Sequence, residues 1–347
     1  MVDYLGITIL LGSFILLLIL RTPISFALLA SAILTSFYLK VPLMSVAVQM
    51  VKGIHSFSLL AIPFFILAGE IMGAGGISRR IIEFTNVLVG RVRGGLAQVN
   101  ILASMFFGGI SGSAIADVSS IGALLIPMMK DSGYDTDYAV DVTITSACQG
   151  LIIPPSHNMI IFAVSAGGVS VGQLFLGGML PGVLLGMALM IISYVIAVKR
   201  GYPKGAKISF KEAIKIASSA ILGLLTAVII IGGVIGGIFT ATESAAVACL
   251  YAFIVTFFIY REIPLSKMDE ILLNALRTLA TVLALLACCN AFGWFLAYLK
   301  IPALITGALL GVSNNKIVVL LLINLLLLAL GTIMDMAPLI MQRCWQC

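Results

Sequence analysis

GGISGSAIADVSS, at residues 108–120, is a polar, small-residue segment inside sequence that is otherwise apolar enough for a membrane. A second segment of this kind is GTIMDMAP, at residues 331–338. Lipid cannot satisfy the N–H and C=O groups of a broken helix, so such a break is tolerated only where it is buried in protein or lines a wet cavity. Two breaks far apart in one chain therefore predict a transport site built from discontinuous helices.

The composition of the whole chain is that of a membrane protein. Hydrophobic residues make up 61% of the 347 residues and charged residues only 10%, with a mean hydropathy of +1.19. A soluble domain carries about 25% charged residues. Apolar runs such as 6–20, 174–198 and 217–235 reach or approach the length needed to span a bilayer, about 20 residues. We predict an all-α, polytopic membrane protein whose first apolar segment is a retained helix rather than a signal peptide.

The net charge of +6 is distributed unevenly. Much of it lies in one central linker, at Lys199, Arg200, Lys204, Lys207, Lys211 and Lys215. The positive-inside rule places this linker in the cytoplasm, and membrane topology explains its lysines better than nucleic-acid binding does. The sequence has no catalytic motif, metal-ligand spacing or phosphate loop, so we expect neither an enzyme nor a bound cofactor.

The basic linker separates two halves that carry similar features in the same order. GIHSFSLLA at 53–61 aligns with GIFTATESA at 237–245. An amphipathic stretch and then one of the two breaks follow in each half, and we expect the stretches, 78–89 and 266–279, to be connecting helices on the surface. Each hydroxyl-rich turn is interpreted as the tip of a re-entrant hairpin, although a helix with Ser and Thr bonded to its own carbonyls is an alternative. The predicted parts are scaffold helices (1–52), a first repeat (53–198), the cytoplasmic linker (199–215), a second repeat (216–340) and a tail (341–347).

Besides the two hydroxyl-rich turns, three segments are candidates for binding a cation or an anionic substrate. In the first break, Ser hydroxyls and freed carbonyls suit sodium, whereas a small-residue helix-packing seam is the competing interpretation. Asp335 is ionisable at membrane depth, which favours a role as a cation ligand over one as an interfacial residue. Tandem prolines at 154–155 break a helix beside side chains that can bind a carboxylate, while His157 is interpreted as structural. The predicted binding residues are Ser56, Ser58, Gly109, Ser111, Gly112, Ser113, Asp117, Pro155, Ser156, Asn158, Thr240, Thr242, Gly331 and Asp335.

Several of these motifs resemble those of one transporter family. They are GGISRRI at 75–81, GGLAQVN at 94–100, the glycine-rich run at 108–122, PPSHNM at 154–159, GIFTATESA at 237–245 and MDMAP at 334–338. Together they closely resemble the large permease subunit of TRAP transporters (the DctM-like family), from the N-terminus to about residue 340. The resemblance implies an inverted-repeat elevator fold, with hairpin tips at 56–58 and 240–242 and broken helices at 109–113 and 331–335.

The resemblance also implies partners, location and coupling. A small TRAP membrane subunit would brace the chain in the lipid bilayer of a bacterial inner membrane, and a periplasmic solute-binding protein would deliver an organic acid. Sodium would be the coupling ion, and a C4-dicarboxylate or related carboxylate the substrate. A stand-alone cation-coupled carboxylate transporter or antiporter is one alternative. Since family members continue with apolar sequence beyond the 334–338 motif, the tail MQRCWQC at 341–347 predicts an incomplete second repeat, and a non-transporting permease is the other alternative.

Overall fold

The computed structural model of the protein describes residues 3–111, 114–166, 169–205, 208–312 and 315–331. These residues form helices and short connections, and their only strand-like pairing is one isolated antiparallel bridge between Arg93 and Lys204. The helices are α1 (Tyr4–Ile19), α2 (Ile24–Tyr38), α3 (Leu43–Ile54), α4 (Ala61–Ala74), α5 (Ile77–Val89), α6 (Gly95–Ser111), α7 (Ala114–Asp117), α8 (Ala123–Asp131), α9 (Thr136–Gly150), α10 (His157–Ala166), α11 (Val171–Arg200), α12 (Phe210–Ile235), α13 (Ala241–Ile254), α14 (Met268–Tyr298), α15 (Ile301–Val312) and α16 (Lys316–Gly331). The prediction of an all-α protein is confirmed.

Five helical segments of the described chain are long and apolar enough to cross a membrane. They are Phe57–Ala74, Val171–Arg200, Phe210–Ile235, Ala241–Tyr260 and Leu265–Tyr298. Their outward-facing side chains are large and apolar, as in Leu180 and Ile191 of α11, which are 68% and 64% exposed. Apolar side chains on the outside of a helix match a lipid environment, whereas water would penalise them. The polytopic prediction therefore agrees with the folded chain.

The first of two compact units takes its described residues from Met1–Leu59, Ile161–Gly168 and Thr278–Cys347. In it α1 packs against α2, and the ring of Phe14 lies 5.3 Å from that of Phe292 on α14. The Asn290 amide donates a hydrogen bond of 2.6 Å to the Gln49 carbonyl oxygen. A side-chain amide at membrane depth is stabilised by such a bond.

The second unit comprises the described parts of Leu60–Ile160 and Val169–Arg277. Helices α4 and α13, which follow the two hydroxyl-rich turns, pack against each other, and α6 packs against α9. One hydrophobic cluster joins α4 to α13 through residues that include Ile71, Met72 and Ala252. Each unit draws on both sequence halves, so the spatial division differs from the linear division into repeats. The repeats themselves stay a prediction.

One end of the second unit is charged and aromatic. Asp135, in the turn before α9, accepts hydrogen bonds from the Tyr202 hydroxyl at 2.8 Å and from Arg200 at 2.7 Å. The Tyr202 hydroxyl, followed by Arg200, holds the pKa of the Asp135 carboxyl below its usual value. The Tyr202 ring stacks on Tyr134 with 4.4 Å between ring centroids. These contacts tie the start of α9 to the end of α11.

Two expected elements take a different form in the structure. The stretch 266–279 is not a separate surface helix, because α14 continues from Met268 to Tyr298 without interruption. In the first half, three glycines at 90, 94 and 95 separate α5 from α6, whereas the second half has no such cluster after residue 279. The segment 109–111, expected to be unwound, is the helical C-terminal end of α6.

Candidate functional site

Two glycines let α6 and α9 cross at very short range. A β-carbon added to Gly108 would lie 2.6 Å from Cα of Gly150, and one added to Gly150 would lie 2.9 Å from the carbonyl oxygen of Ser104. Both obstacles are backbone atoms, so a side chain at either position would force the helices apart. The crossing brings together the two chain segments that lead into the glycine-rich break and the tandem-proline break.

Polar side chains line the same helix pair on the Asn100 side of the crossing. The Asn100 amide donates to the Thr143 hydroxyl at 2.7 Å, and its carbonyl oxygen accepts from the Ser146 hydroxyl at 3.3 Å. All three residues are buried. A buried polar network whose members are all bonded fixes the register of two helices, because any slip leaves polar groups unsatisfied.

Asp117 lies beside this crossing and is buried, with 1% of its surface exposed. A β-carbon added to Gly150 would lie 3.6 Å from its Oδ2 atom. The Ser104 hydroxyl is near enough to interact with the carboxylate. Among the described residues, however, no hydrogen bond is completed to either Asp117 oxygen or to Ser104 Oγ. A buried carboxylate without partners is costly, so this group is a strong candidate for binding a cation. We call Ser104, Gly108, Asp117 and Gly150 the Asp117 site.

The backbone that follows Asp117 is irregular. Residues Val118–Gly122 form a short π-helix, and a β-carbon on Gly122 would lie 2.9 Å from the Thr143 methyl group of α9. An inserted π-turn rotates side chains away from an α-helical register and is frequent at functional sites. The break predicted at 108–120 is therefore present in part, but within the described chain its irregular portion follows Asp117 rather than beginning at Gly109.

The tandem-proline segment leads into α10 with buried polar groups. Pro155, Ser156 and Asn158 are all buried, and the Ser156 hydroxyl has no hydrogen-bond partner among the described residues. The Ser156 carbonyl accepts from the Met159 N–H at 3.2 Å, which places Ser156 at the start of the helix. An unpaired hydroxyl at the N-terminal end of a helix can donate to an anion, whose charge the helix dipole also favours.

The second hydroxyl-rich turn forms the start of α13. The Thr240 side chain accepts a hydrogen bond from the Glu243 N–H at 3.3 Å, and the Glu243 carboxylate accepts from the Thr240 N–H at 2.8 Å and from its hydroxyl at 2.9 Å. This reciprocal capping box satisfies two backbone groups that a helix start leaves unpaired. Thr240 is exposed and Thr242 is buried. The Thr240 hydroxyl therefore has a structural role whether or not it also binds a ligand.

Replacing Thr240 with Val should remove the two bonds of the Thr240 hydroxyl while keeping the side-chain shape and the bond from the Thr240 N–H to Glu243. We expect the free energy of unfolding to fall by about 1 kcal/mol, the typical cost of losing a cap of this kind. Thermal unfolding of the purified variant in detergent measures the change. Thr145→Val is the control, because the exposed Thr145 hydroxyl bonds only to backbone carbonyls of its own helix. Equal stability of the two variants would show that the cap contributes nothing.

The other predicted residues lie outside the Asp117 site or outside the described part of the chain. Ser56 and Ser58 belong to the first unit and are half-buried, in the turn and short 3-10 helix that precede α4. Gly109 and Ser111 are in the last turn of α6, and Gly331 ends α16. Gly112, Ser113 and Asp335 lie outside the described residues. The cation-binding role of all of these residues stays a prediction.

Sequence reasoning missed Glu70 and the capping box. Glu70 is half-buried on α4, within a candidate membrane span, and makes no ion pair among the described residues. An ionisable residue within an apolar stretch is visible in the sequence and could have been predicted as a functional candidate. The Thr-x-x-Glu spacing of Thr240 and Glu243 was equally visible as a helix-start motif. The Asn100 network, by contrast, joins residues that no local pattern connects.

Comparison with known proteins identifies the family. Residues 11–342 match the family model described as "Tripartite ATP-independent periplasmic transporter, DctM component". The chain is 44% identical over 295 residues to the sialic acid TRAP transporter large permease protein SiaM of Vibrio cholerae, covering 85% of this chain and 69% of that protein. It is 37% identical over 297 residues to the C4-dicarboxylate TRAP transporter large permease protein DctM of Pseudomonas aeruginosa, covering 86% of this chain and 69% of that protein.

A solved structure shares the fold. The crystal structure of the Alcanivorax borkumensis YdaH transporter superposes with a TM-score of 0.56 at 14% sequence identity, covering 86% of this chain and 70% of that chain. At this identity the likeness concerns the fold alone. The relatives are transporter permeases and not enzymes. The chain therefore belongs to the DctM family, the large permease subunits of tripartite ATP-independent periplasmic transporters.

Proposed function

We propose that this permease imports an organic acid anion across a bacterial inner membrane, coupled to a sodium gradient. It works with a small membrane subunit and with a periplasmic solute-binding protein that delivers the substrate. The observation that carries the coupling proposal is the buried carboxylate of Asp117, whose two oxygens have no partner among the described residues. A sodium ion there would supply the missing countercharge.

The neighbouring groups fit a hard cation. The carboxylate oxygens of Asp117 and the hydroxyl of Ser104 are oxygen donors, the ligand type that sodium takes. Gly108 and Gly150 keep side chains out of the adjacent space. The π-helix after Asp117 departs from regular α-helical hydrogen bonding, and we propose its backbone carbonyl oxygens as further ligands. Neutralising the carboxylate would make the loaded site less costly to carry across the bilayer than the empty one.

A carboxylate is the chemical group that we propose for substrate recognition. The names of two relatives mention sialic acid and C4-dicarboxylate, and both compounds contain carboxyl groups. Ser156, with its unpaired hydroxyl, and the N-terminal end of α10 are the proposed groups that bind the substrate carboxylate. Asn158, buried in the first turn of α10, adds an amide that can bond to a hydroxyl or keto group. We propose a C4-dicarboxylate or a related carboxylate such as a sugar acid.

Uptake into proteoliposomes tests the proposal. The chain is reconstituted with its small subunit and binding protein, and uptake of labelled succinate and sialic acid is measured with an inward sodium gradient, with potassium in its place, and with the gradient collapsed by an ionophore. We expect uptake of one acid that requires both sodium and the binding protein. Full uptake without the binding protein would instead establish a stand-alone carrier. Uptake that ignores sodium would refute the coupling, and no uptake of any carboxylate would refute transport by this chain.

A further inference from the structure

The basic linker after α11 is held against the α5–α6 loop in the second unit. The Gly94 N–H donates to the Pro203 carbonyl at 3.1 Å, and the Gly205 N–H donates to the Gly90 carbonyl at 3.1 Å. Arg91 adds a bond of 2.6 Å from its guanidinium to the Ile208 carbonyl. We call the paired segments 90–94 and 203–205 the strap. In the strap, hydrogen bonds hold together two segments that are distant in sequence.

Two glycines make this close pairing possible. Gly94 has φ +69°, and a β-carbon there would lie 2.3 Å from Cβ of Ala197. A β-carbon on Gly205 would lie 2.2 Å from the Gly90 carbonyl oxygen, which is a backbone atom that cannot move aside without breaking the pairing. Any larger residue at these positions would separate the segments or strain the backbone.

The strap places two positive side chains opposite each other. Arg93 and Lys204 are the two members of the antiparallel bridge, and both are exposed. Like charges directly opposite in a strand pair repel each other and destabilise the pairing. The ion pairs of the described chain use other cations, namely Arg79, Arg80 and Arg200. No described carboxylate thus compensates Arg93 or Lys204.

The strap lies where a membrane helix leaves the bilayer. It follows directly on α11, a 30-residue apolar helix that ends in Lys199 and Arg200. The positive-inside rule assigns this end to the cytoplasmic surface. The cytoplasmic leaflet carries anionic lipid, whose surface potential attracts basic segments next to a membrane helix. We therefore expect the basic strap to face the negatively charged surface of this leaflet.

We propose that the strap is a binding site for the headgroup phosphate of an anionic phospholipid, held between Arg93 and Lys204. The phosphate removes the repulsion between the two side chains, so lipid binding and strap pairing stabilise each other. The bridge holds the backbones of Arg93 and Lys204 side by side, which distinguishes this site from basic residues that are scattered on the surface. The proposal concerns the cytoplasmic end of the second unit and does not depend on which substrate is transported.

Lipid binding to the purified chain in neutral detergent tests the proposal, with native mass spectrometry as the readout. Dioleoyl-phosphatidylglycerol is compared with dioleoyl-phosphatidylcholine. Each basic residue at an anionic surface contributes about 1 kcal/mol to binding. The double variant Arg93→Gln/Lys204→Gln should therefore bind its first phosphatidylglycerol molecule roughly 30-fold more weakly. Arg93→Lys/Lys204→Arg keeps both charges and should keep binding. Lys130→Gln/Lys267→Gln is the matched control, since it removes two charges from the same unit outside the strap and should leave binding unchanged.

Geometry is tested separately from charge by Gly205→Val. This variant keeps every basic residue but separates the two segments of the strap. We expect phosphatidylglycerol to bind about 5-fold more weakly, as if one of the two cations were lost. Equal phosphatidylglycerol binding by the wild-type chain and Arg93→Gln/Lys204→Gln would overturn the proposal. So would an equal loss in the Lys130→Gln/Lys267→Gln control. Displacement of the lipid by inorganic phosphate at the same concentration would also overturn it, because the site would then prefer a free anion.

Discussion

Asp117→Asn should make the protein more stable in sodium-free buffer and, at the same time, abolish its response to sodium. The wild-type carboxylate is buried without a hydrogen-bond partner among the described residues. Asn has nearly the same shape without the charge. Removing an uncompensated buried charge should raise the free energy of unfolding by roughly 1–3 kcal/mol.

The stabilisation of the protein by sodium should be lost in the same variant. For the wild-type chain, sodium at about 100 times its dissociation constant should add about 2.7 kcal/mol to the free energy of unfolding. In Asp117→Asn this increment should vanish, because losing one partner of a buried ionic contact costs about 3 kcal/mol or more, which weakens sodium binding at least about 100-fold. Sodium-driven uptake in proteoliposomes should fall accordingly. Thermal unfolding with sodium and with potassium measures both effects.

Asp131→Asn is the matched control for this prediction. Asp131 is an exposed carboxylate in the same unit, at the end of α8, so the same change of charge there should alter neither stability nor the sodium response. If Asp117→Asn lowers stability and leaves the sodium response intact, Asp117 serves as a packing or capping residue. In that event the coupling ion must bind elsewhere.

Gly108→Ala should be among the most destabilising single-methyl substitutions in the chain. The added carbon would lie 2.6 Å from Cα of Gly150 and 2.9 Å from its carbonyl carbon, far inside normal contact distance. Since both atoms are backbone, α6 and α9 must separate, and we expect a loss of about 3 kcal/mol. The separation would also displace the Asp117 site, so sodium-dependent stabilisation should weaken together with stability. Thermal unfolding with and without sodium measures both effects.

Gly177→Ala is the control for this second prediction. Gly177 is also a helical glycine, on α11, but a β-carbon there would meet nothing within 4 Å. Alanine should therefore be neutral or should stabilise the helix by up to about 1 kcal/mol. Gly108→Ala/Gly150→Ala should cost less than the sum of the two single changes, because one separation of the helices accommodates both methyl groups. Strict additivity would contradict a shared crossing point.

The fold class was predictable because it follows from local properties of the sequence. Long apolar runs can bury their backbone polar groups only as helices, and α11 and α12 lie where such runs occur. The breaks at residues 108–120 and 154–155 were visible as small residues and prolines. Their consequence was harder to predict, because glycine permits both unwinding and close packing. At Gly108 the structure uses the glycine for packing against Gly150, so the helix continues to Ser111.

The rest of the site depends on contacts between residues that are far apart in sequence. Nothing near Asn100 shows that Thr143 and Ser146 will complete its hydrogen bonds. Nothing near Arg93 indicates that Lys204 will be its bridge partner. For the same reason Asp117 could be recognised as polar but not as unpaired. Which polar groups form hydrogen bonds with each other depends on how the helices pack, and local patterns in a single sequence do not reveal it.

The Asn100 network also constrains how the protein is made. During synthesis α6 leaves the ribosome well before α9, which carries Thr143 and Ser146, the hydrogen-bond partners of the Asn100 side chain. Released alone into lipid, α6 would expose an unsatisfied amide to hydrocarbon, at a cost in free energy. We therefore expect the membrane integration of α6 to be completed only when α9 arrives, with the two helices entering the bilayer as a co-dependent pair.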